Sequence, residues 1–423
     1  MNTSILDFGA ISDGVSLNTE AIQSAINKCA ESGGGQVNVP AGVYKTGTVW
    51  LRDNVELHLE LGAELLASDN VDDYNDPEAY EQNFGAVKEQ WTGKHLIIAH
   101  EINNCAITGF GTINGNCQAF VVEGRSSVGK VYGWCHGISL LKDETKQRPG
   151  QLICFIESKN IKVMDVTIKN SPCWSCFIHG CEYVQVRGVK INNPIWMKNS
   201  DGIDIDSSRC VTVSDCIIET GDDAITLRGA EGRLKNKDIH CEFITITNCV
   251  LSTGICAFRI GVGTGVVRHA RISNITVFGC LNIVQFCTAY DKIGKVDIED
   301  VNFSNISAQN TDRCLQAFAL NNATIKNITM ENIRTTGSVM SYIDCVDGRI
   351  ENFSLRNIEI SYSDKSTELS EEELAFRGSH LLFINGAVGV KLEGVVLNGT
   401  LYGVEEAVKL VGCDDLIKKD CNF

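Results

Sequence analysis

From about residue 160 onward the chain alternates apolar and polar side chains at period two, breaks at an Asn, Asp or Gly, and resumes. The template apolar-x-apolar-x-x-apolar-x-apolar fits IKVMDVTI from Ile161, VQVRGVKI from Val184, VTVSDCII from Val211 and ITITNCVL from Ile244. It continues as ARISNITV from Ala270, VDIEDVNF from Val296, ATIKNITM from Ala323, FSLRNIEI from Phe353 and VKLEGVVL from Val390. Alternation at period two describes a strand with one inward face, and the break describes a tight bend. Units repeating at steps of 23 to 37 residues, with no helical pattern between them, predict strands stacked coil upon coil. The expected fold is all-β: one parallel β-helix of about ten coils, forming a single domain over residues 1–423. A β-propeller is the structural alternative, but it needs about 40 residues and four strands per blade.

Two kinds of segment depart from the repeat. NTEAIQSAINKCAESGGG, from Asn18, has one apolar stripe, a polar start and a glycine stop, which predicts a helix over about 18–34. An open solenoid end needs covering, so this helix is expected to cap the N-terminal coil. Residues 69–95 and 115–150 fit the repeat poorly and hold Trp91, Tyr132 and Trp134. They are expected to be loop insertions bordering a cleft.

Stacking converts sequence spacing into proximity, because neighbouring strands lie about 4.8 Å apart. Asp201-Gly-Ile-Asp-Ile shifted by 22 residues gives Asp223-Ala-Ile-Thr-Leu, which places Asp201 over Asp223. A further shift of 33 residues puts Ala257-Phe-Arg-Ile on Ala224-Ile-Thr-Leu, so an outward column reads Asp204, Thr226, Arg259, with Gln285 next. Asp201, Asp222, Asp223 and Asp204 are thus expected in one patch beside one cation, Arg259. Carboxylates this crowded cannot all ionise comfortably, and one protonated acid beside one ionised base is what glycoside hydrolysis requires. Asp also tops bends through its own backbone hydrogen bonds, the plainer reading for Asp204, Asp206 and Asp215. A Ca²⁺ site is a further alternative for clustered hard oxygen ligands.

Composition narrows the classes. Among 423 residues the formal charge is −16 and the basic residues are scattered, so no footprint for nucleic acid or an anionic membrane is present. No apolar run approaches the roughly 18 residues of a membrane span, and MNTSILDFGAISDG does not resemble a signal peptide. The 19 cysteines, odd in number and read as holding no Cys-x-x-Cys pair, speak against a zinc site and a disulfide framework, and most fall in apolar strand segments. The expectation is a cytoplasmic protein with a carbohydrate substrate, no cofactor and no metal, and an oligomeric state left open.

With these residues in view, the chain resembles glycoside hydrolase family 28, the polygalacturonase-like right-handed β-helix enzymes. DFGAISDGVSLNTEAIQSAI, LIIAHEINNCAITGFGTING and RPGQLICFIESKNIKVMDVTIKNSPCW occur in the family's order, followed by NSDGIDIDSS and GDDAITL. The resemblance implies inversion, with Asp222 as general acid and Asp201 and Asp223 as water-activating bases. It departs where the family has Gly-His-Gly, since this chain reads TGICAFRIG, with Ile255 or Cys256 at the His position. The family's Arg-Ile-Lys, which grips a substrate carboxylate, falls on Gln285-Phe286-Cys287. Gln hydrogen-bonds a hydroxyl but cannot neutralise a carboxylate. Arg259 either binds an anionic group or holds Asp204, and His179 either replaces the missing imidazole or is structural. Asn199, Trp196 and Tyr290 complete the candidate substrate contacts. Exo-action on pectin-derived oligosaccharides or glycosides, rather than on polymeric homogalacturonan, is the functional expectation, with the inserts closing one end of the cleft and supplying aromatic stacking surface. A uronate lyase or epimerase and a non-catalytic carbohydrate-binding solenoid are the alternatives.

Overall fold

The computed structural model describes residues 1–124, 139–144, 146–290, 294–366 and 368–423. These fall into two compact units: 1–124, 139–222 and 232–239 in the first, and 223–231 with the described part of 240–423 in the second. Tyr132 and Trp134 lie outside the described residues.

Both units are stacked parallel strands, as the alternation predicts. In the first unit three inward columns run through successive coils: Ile97, Ile153, Cys176, Ile203; then Cys105, Ile161, Val184, Val211; then Ile113, Ile168, Ile191, Ile218. All twelve side chains are at most 2% exposed. Three faces per coil, each lined by β-branched residues or Cys stacked in register, are the arrangement of a parallel β-helix. The second unit continues the pattern, with columns Ile225, Phe258, Val284, Leu315 and Ile244, Ala270, Val301, Ile328, Phe353.

The breaks in the template have a single backbone cause. Asp165, Gly188, Asp215, Asn248, Asn274, Asp300, Asn327, Asn357 and Gly394 all adopt left-handed φ values between 50° and 66°. Gly has no Cβ to clash there, and Asn and Asp tolerate the region better than other L-residues. On one bend the asparagines also stack: Asn305, Asn332 and Asn357 each donate to the side-chain oxygen of the preceding coil's Asn, at 3.1 to 3.3 Å.

Two of the expected registers shift. Ala270 pairs with Val301 and Val301 with Ile328, so VDIEDVNF and ATIKNITM, aligned above on ARISNITV, each begin five residues early. These coils carry two left-handed bends five residues apart, Asp300 and Asn305 in one, Asn327 and Asn332 in the next. The template fits at either bend, and only strand pairing chooses between them.

The expected helix spans Thr19–Glu31 and buries Ile22, Ala25, Ile26 and Cys29. It packs against strands Asn2–Ser4, Gly35–Val39, Val49–Trp50 and Val55–Leu59. A second helix, Glu371–Arg377, starts at a Ser370/Glu373 capping box. Periodicity missed it because seven residues carry no full apolar stripe.

Residues 69–95 pack on the first unit through Tyr80, Phe84, Ala86 and Trp91. Outward positions of successive strands there are Trp50, Ile98, Cys154 and Phe177, where a solvated sheet would carry polar residues. Tyr80 and Trp91 are buried on these positions with Trp174, and Phe84 and Ala86 pack beside them. His95 anchors the end of the insert, with ring nitrogens 2.8 Å from the Gln151 carbonyl and 2.8 Å from Asn83 Oδ1. In 115–150 a short antiparallel pair joins Val121–Glu123 to Ser139–Leu141.

Candidate active site

In the first unit, the segment that carries Asp201 is fixed by buried hydroxyl and amide groups. After strand Lys190–Asn192 the chain leaves the sheet, and Asn193 Nδ2 donates to Ser175 Oγ at 2.8 Å and to the Ser200 carbonyl at 3.1 Å. Ser200 Oγ donates to the Met197 carbonyl at 2.8 Å and accepts the Gly221 N–H at 3.0 Å, tying the NSDG turn to the GDD turn. A Cβ on Gly221 would collide with the carbonyls of Met197, Ile195 and Pro194, so this close approach requires glycine. Asp201 and Asp222, 4% and 5% exposed, then hold carboxylate oxygens within 4.8 Å of each other. The Asn199 N–H donates to Asp222 Oδ2 at 3.2 Å. Two buried carboxylates this close repel each other when both are ionised. Oxygens so placed also suit one hard cation.

Sequence reasoning overlooked a cation in the same unit. Arg148, 2% exposed, donates to the Lys198 carbonyl at 2.8 Å, to Asn199 Oδ1 at 2.8 Å, to the Glu89 carbonyl at 3.1 Å and to the Pro172 carbonyl. Burial lowers the proton affinity of its guanidinium, against the pull of Cys173, Glu89, Cys117 and Asp222. A solitary Arg heading Arg-Pro-Gly before a buried strand was the one available signal.

Asp223, joined to Asp222 by the peptide bond, opens the second unit. There Arg259 pairs with it as a fork, through Nε and, at 3.0 Å, through Nη2, and the Cys256 N–H reaches Oδ1 at 3.1 Å. The registers Thr226 to Arg259 and Arg259 to Gln285 are those expected from the repeat. Arg259 also donates to Gln285 Oε1, which accepts the Cys256 thiol at 3.3 Å. Burial opposes the charge on Arg259, and Asp223 together with Cys256 and Tyr290 outweighs it, so the guanidinium keeps its proton more tightly than in water. The cation expected to bind an anionic group or hold Asp204 is therefore committed to Asp223 and Gln285. Tyr290 is exposed, and the Arg259 guanidinium lies 5.4 Å from its ring centroid. Beyond Gln285 the outward row continues through Gln316, whose Nε2 donates to the Tyr342 hydroxyl at 2.5 Å.

Other expected contacts sit deeper. Asp204 is fully buried, in register with Phe177, and His179 is 1% exposed with its ring 5.1 Å from that of Phe177. Trp196 is half-buried against Cys117, Val121 and Met197. Trp91, expected as a stacking surface, is instead 2% exposed and donates through Nε1 to Glu89. The cysteine spacings include one Cys-x-x-Cys pair that composition passed over, Cys173-Trp-Ser-Cys176. Both thiols are buried and free, and burial pushes Cys176 up to about 12, which keeps it protonated and unreactive.

A sequence profile of glycosyl hydrolases family 28 matches residues 29–374. The chain is 29% identical over 306 residues to an exo-poly-alpha-D-galacturonosidase of Dickeya chrysanthemi, a match covering 64% of this chain and 49% of that one. It is 30% identical over 233 residues to a probable polygalacturonase of Vitis vinifera, covering 54% of this chain and 44% of that one. The chain thus spans about half the length of these two curated relatives. Among solved structures, the family 28 exopolygalacturonase of Yersinia enterocolitica superposes with a TM-score of 0.75 at 20% identity, covering 98% of this chain and 78% of that one. That likeness concerns the fold. With a family profile matching most of its length and a parallel β-helix of the family's kind, this chain belongs to glycosyl hydrolases family 28.

Proposed function

We propose that the protein is a glycosidase that removes terminal sugars from pectin-derived oligosaccharides, with Asp222 as general acid and Asp201 and Asp223 activating the attacking water. The observation that carries the reading is the buried Asp201–Asp222 pair, with oxygens within 4.8 Å and Asp222 oriented by the Asn199 N–H. An acid that donates to the leaving oxygen and a carboxylate that takes a proton from water are the two groups hydrolysis needs.

Exo-action is supported by the insert at 69–95. An extended polymer bound along the outward face of the first unit would have to cross Ile98, Cys154 and Phe177, and Tyr80, Phe84 and Trp91 already cover them. Loss of the family's Arg-Ile-Lys, which the resemblance places at Gln285-Phe286-Cys287, favours a short or weakly charged substrate over polymeric homogalacturonan. The resemblance puts Gln285 where a cation would grip a carboxylate, and Arg259 is paired with Asp223 and Gln285.

Inversion is taken from the family resemblance. One experiment addresses activity, mode and stereochemistry: reducing-end-labelled pectic oligosaccharides are digested while proton NMR follows the first-formed anomer. Unlabelled monosaccharide as the sole early product, with inverted configuration, is expected. Mid-chain products would overturn the exo reading, retained configuration the inverting one, and no turnover of any pectic oligosaccharide or glycoside the enzymatic one.

A further inference from the structure

We propose that Arg148 is a positioning residue of the acid pair: its guanidinium fixes the Asn199 turn so that the Asn199 N–H is delivered to the Asp222 carboxylate. The inference rests on the reading that Asp222 is the general acid.

The four acceptors of Arg148 come from three separated segments of the first unit. Glu89 belongs to the insert, Pro172 to the turn before strand Cys176–His179, and Lys198 and Asn199 to the turn that leads into Asp201. All four are uncharged oxygens. A planar fork of five N–H donors spans such a set, and a lysine ammonium with three donors at one point does not. A purely structural bolt could stop at the carbonyls. Here one arm continues to the reacting group, because Asn199, held left-handed at φ 55°, accepts from Arg148 through its side chain and donates to Asp222 through its backbone.

Charge acts along the same line. Among the described residues, the groups that bear on Arg148 include Cys173, Glu89, Cys117 and Asp222, and those beside Asp222 include Asp201, Arg148 and its chain neighbour Asp223. A general acid must be protonated to work, so its ionisation sets the alkaline limb of the pH–rate profile. A nearby cation favours the ionised form and pulls that limb down, partly offsetting the push from Asp201. Removing the cation therefore moves the limb upward.

The test uses Arg148→Gln, Arg148→Lys and Asn199→Gly in the full chain. Each is read by thermal melt, by kcat and KM across pH on an oligosaccharide the unaltered protein cleaves, and by carboxyl ¹³C titration of Asp222 assigned from Asp222→Asn. Arg148→Gln is expected to lower kcat about 10- to 100-fold with KM changed less than about threefold. It should raise both the alkaline limb and the Asp222 titration by about one pH unit. Arg148→Lys should restore the limb but only part of kcat. Asn199→Gly keeps the left-handed backbone and removes the acceptor; it should lower kcat about tenfold and add nothing to Arg148→Gln. A folded Arg148→Gln whose limb and titration match the unaltered protein overturns the inference, as does multiplication of the two effects on kcat. If Arg148→Gln does not fold, Asn199→Gly decides: undiminished kcat rejects the inference and a lowered one supports it. The titration needs no turnover, so an inactive unaltered protein would sink the functional reading while the Asp222 titration still decides this one.

Discussion

At the scale of single residues, the Asp223–Arg259 pair and the Asp201–Asp222 pair make opposite predictions. Arg259 and Asp223 are 5% and 3% exposed, and taking one partner from a buried ion pair leaves the other charged and unsolvated. Arg259→Met is expected to cost about 3–5 kcal/mol, read as a lower urea midpoint. Asp222→Asn relieves crowding between two carboxylates instead, so its melting temperature should equal or exceed that of the unaltered protein. Its kcat should fall about 10²- to 10⁴-fold with substrate binding retained. Unchanged turnover in that variant would remove Asp222 from the mechanism. The aspartates were visible in the sequence because NSDG and GDD recur one coil apart. Arg148 was not, because its partners are main-chain carbonyls from distant segments and no spacing encodes them.

At the scale of elements, bends and the insert carry the testable consequences. Asn332 sits at φ 53° with its side chain in the stacked row. Asn332→Ala forces a Cβ-bearing residue with no local hydrogen bond into the left-handed region and should cost about 1–2 kcal/mol, whereas Asn332→Gly should cost less. Equal melting temperatures for the two variants would contradict the backbone explanation. The insert rests on His95, whose buried ring is pushed down to about 4, chiefly by desolvation, against the hydrogen bond to Gln151. Since the folded value lies below the unfolded one of about 6.5, the unfolded chain binds the extra proton between these limits. The contribution is complete above about pH 6.5 and declines as pH falls towards 4, by up to about 3 kcal/mol. His95→Gln should flatten that part of the stability–pH curve, measured by urea melts from pH 7 to 4. Periodicity revealed that 69–95 departs from the repeat but not where it goes. The apolar outward positions Ile98, Cys154 and Phe177 held that information, and they become legible only once strand register fixes which side chains share a column.

At the scale of the whole molecule, the cysteines and the charge act collectively. Of the eighteen described cysteines, only Cys210, Cys345, Cys413 and Cys421 are not buried. Native protein treated with Ellman's reagent is therefore expected to expose about five thiols or fewer quickly, with the remainder reacting only on unfolding. Rapid reaction of most thiols would show the cysteine-lined columns to be open. A formal charge of −16 also repels polyanions at long range, in line with the short substrates proposed above.

The sequence by itself determined the parallel β-helix and the spacing that brings Asp201 and Asp222 together. Period-two alternation specifies inward faces, the Asn, Asp and Gly breaks specify left-handed bends, and stacking turns a fixed spacing into neighbours. Tertiary structure alone decided which of two adjacent bends begins a coil, where the insert lies, and which partners Arg148 and Arg259 take. Those outcomes depend on pairing between strands and on carbonyls and side chains remote in the chain, which compete for the same donors only after the coils have closed.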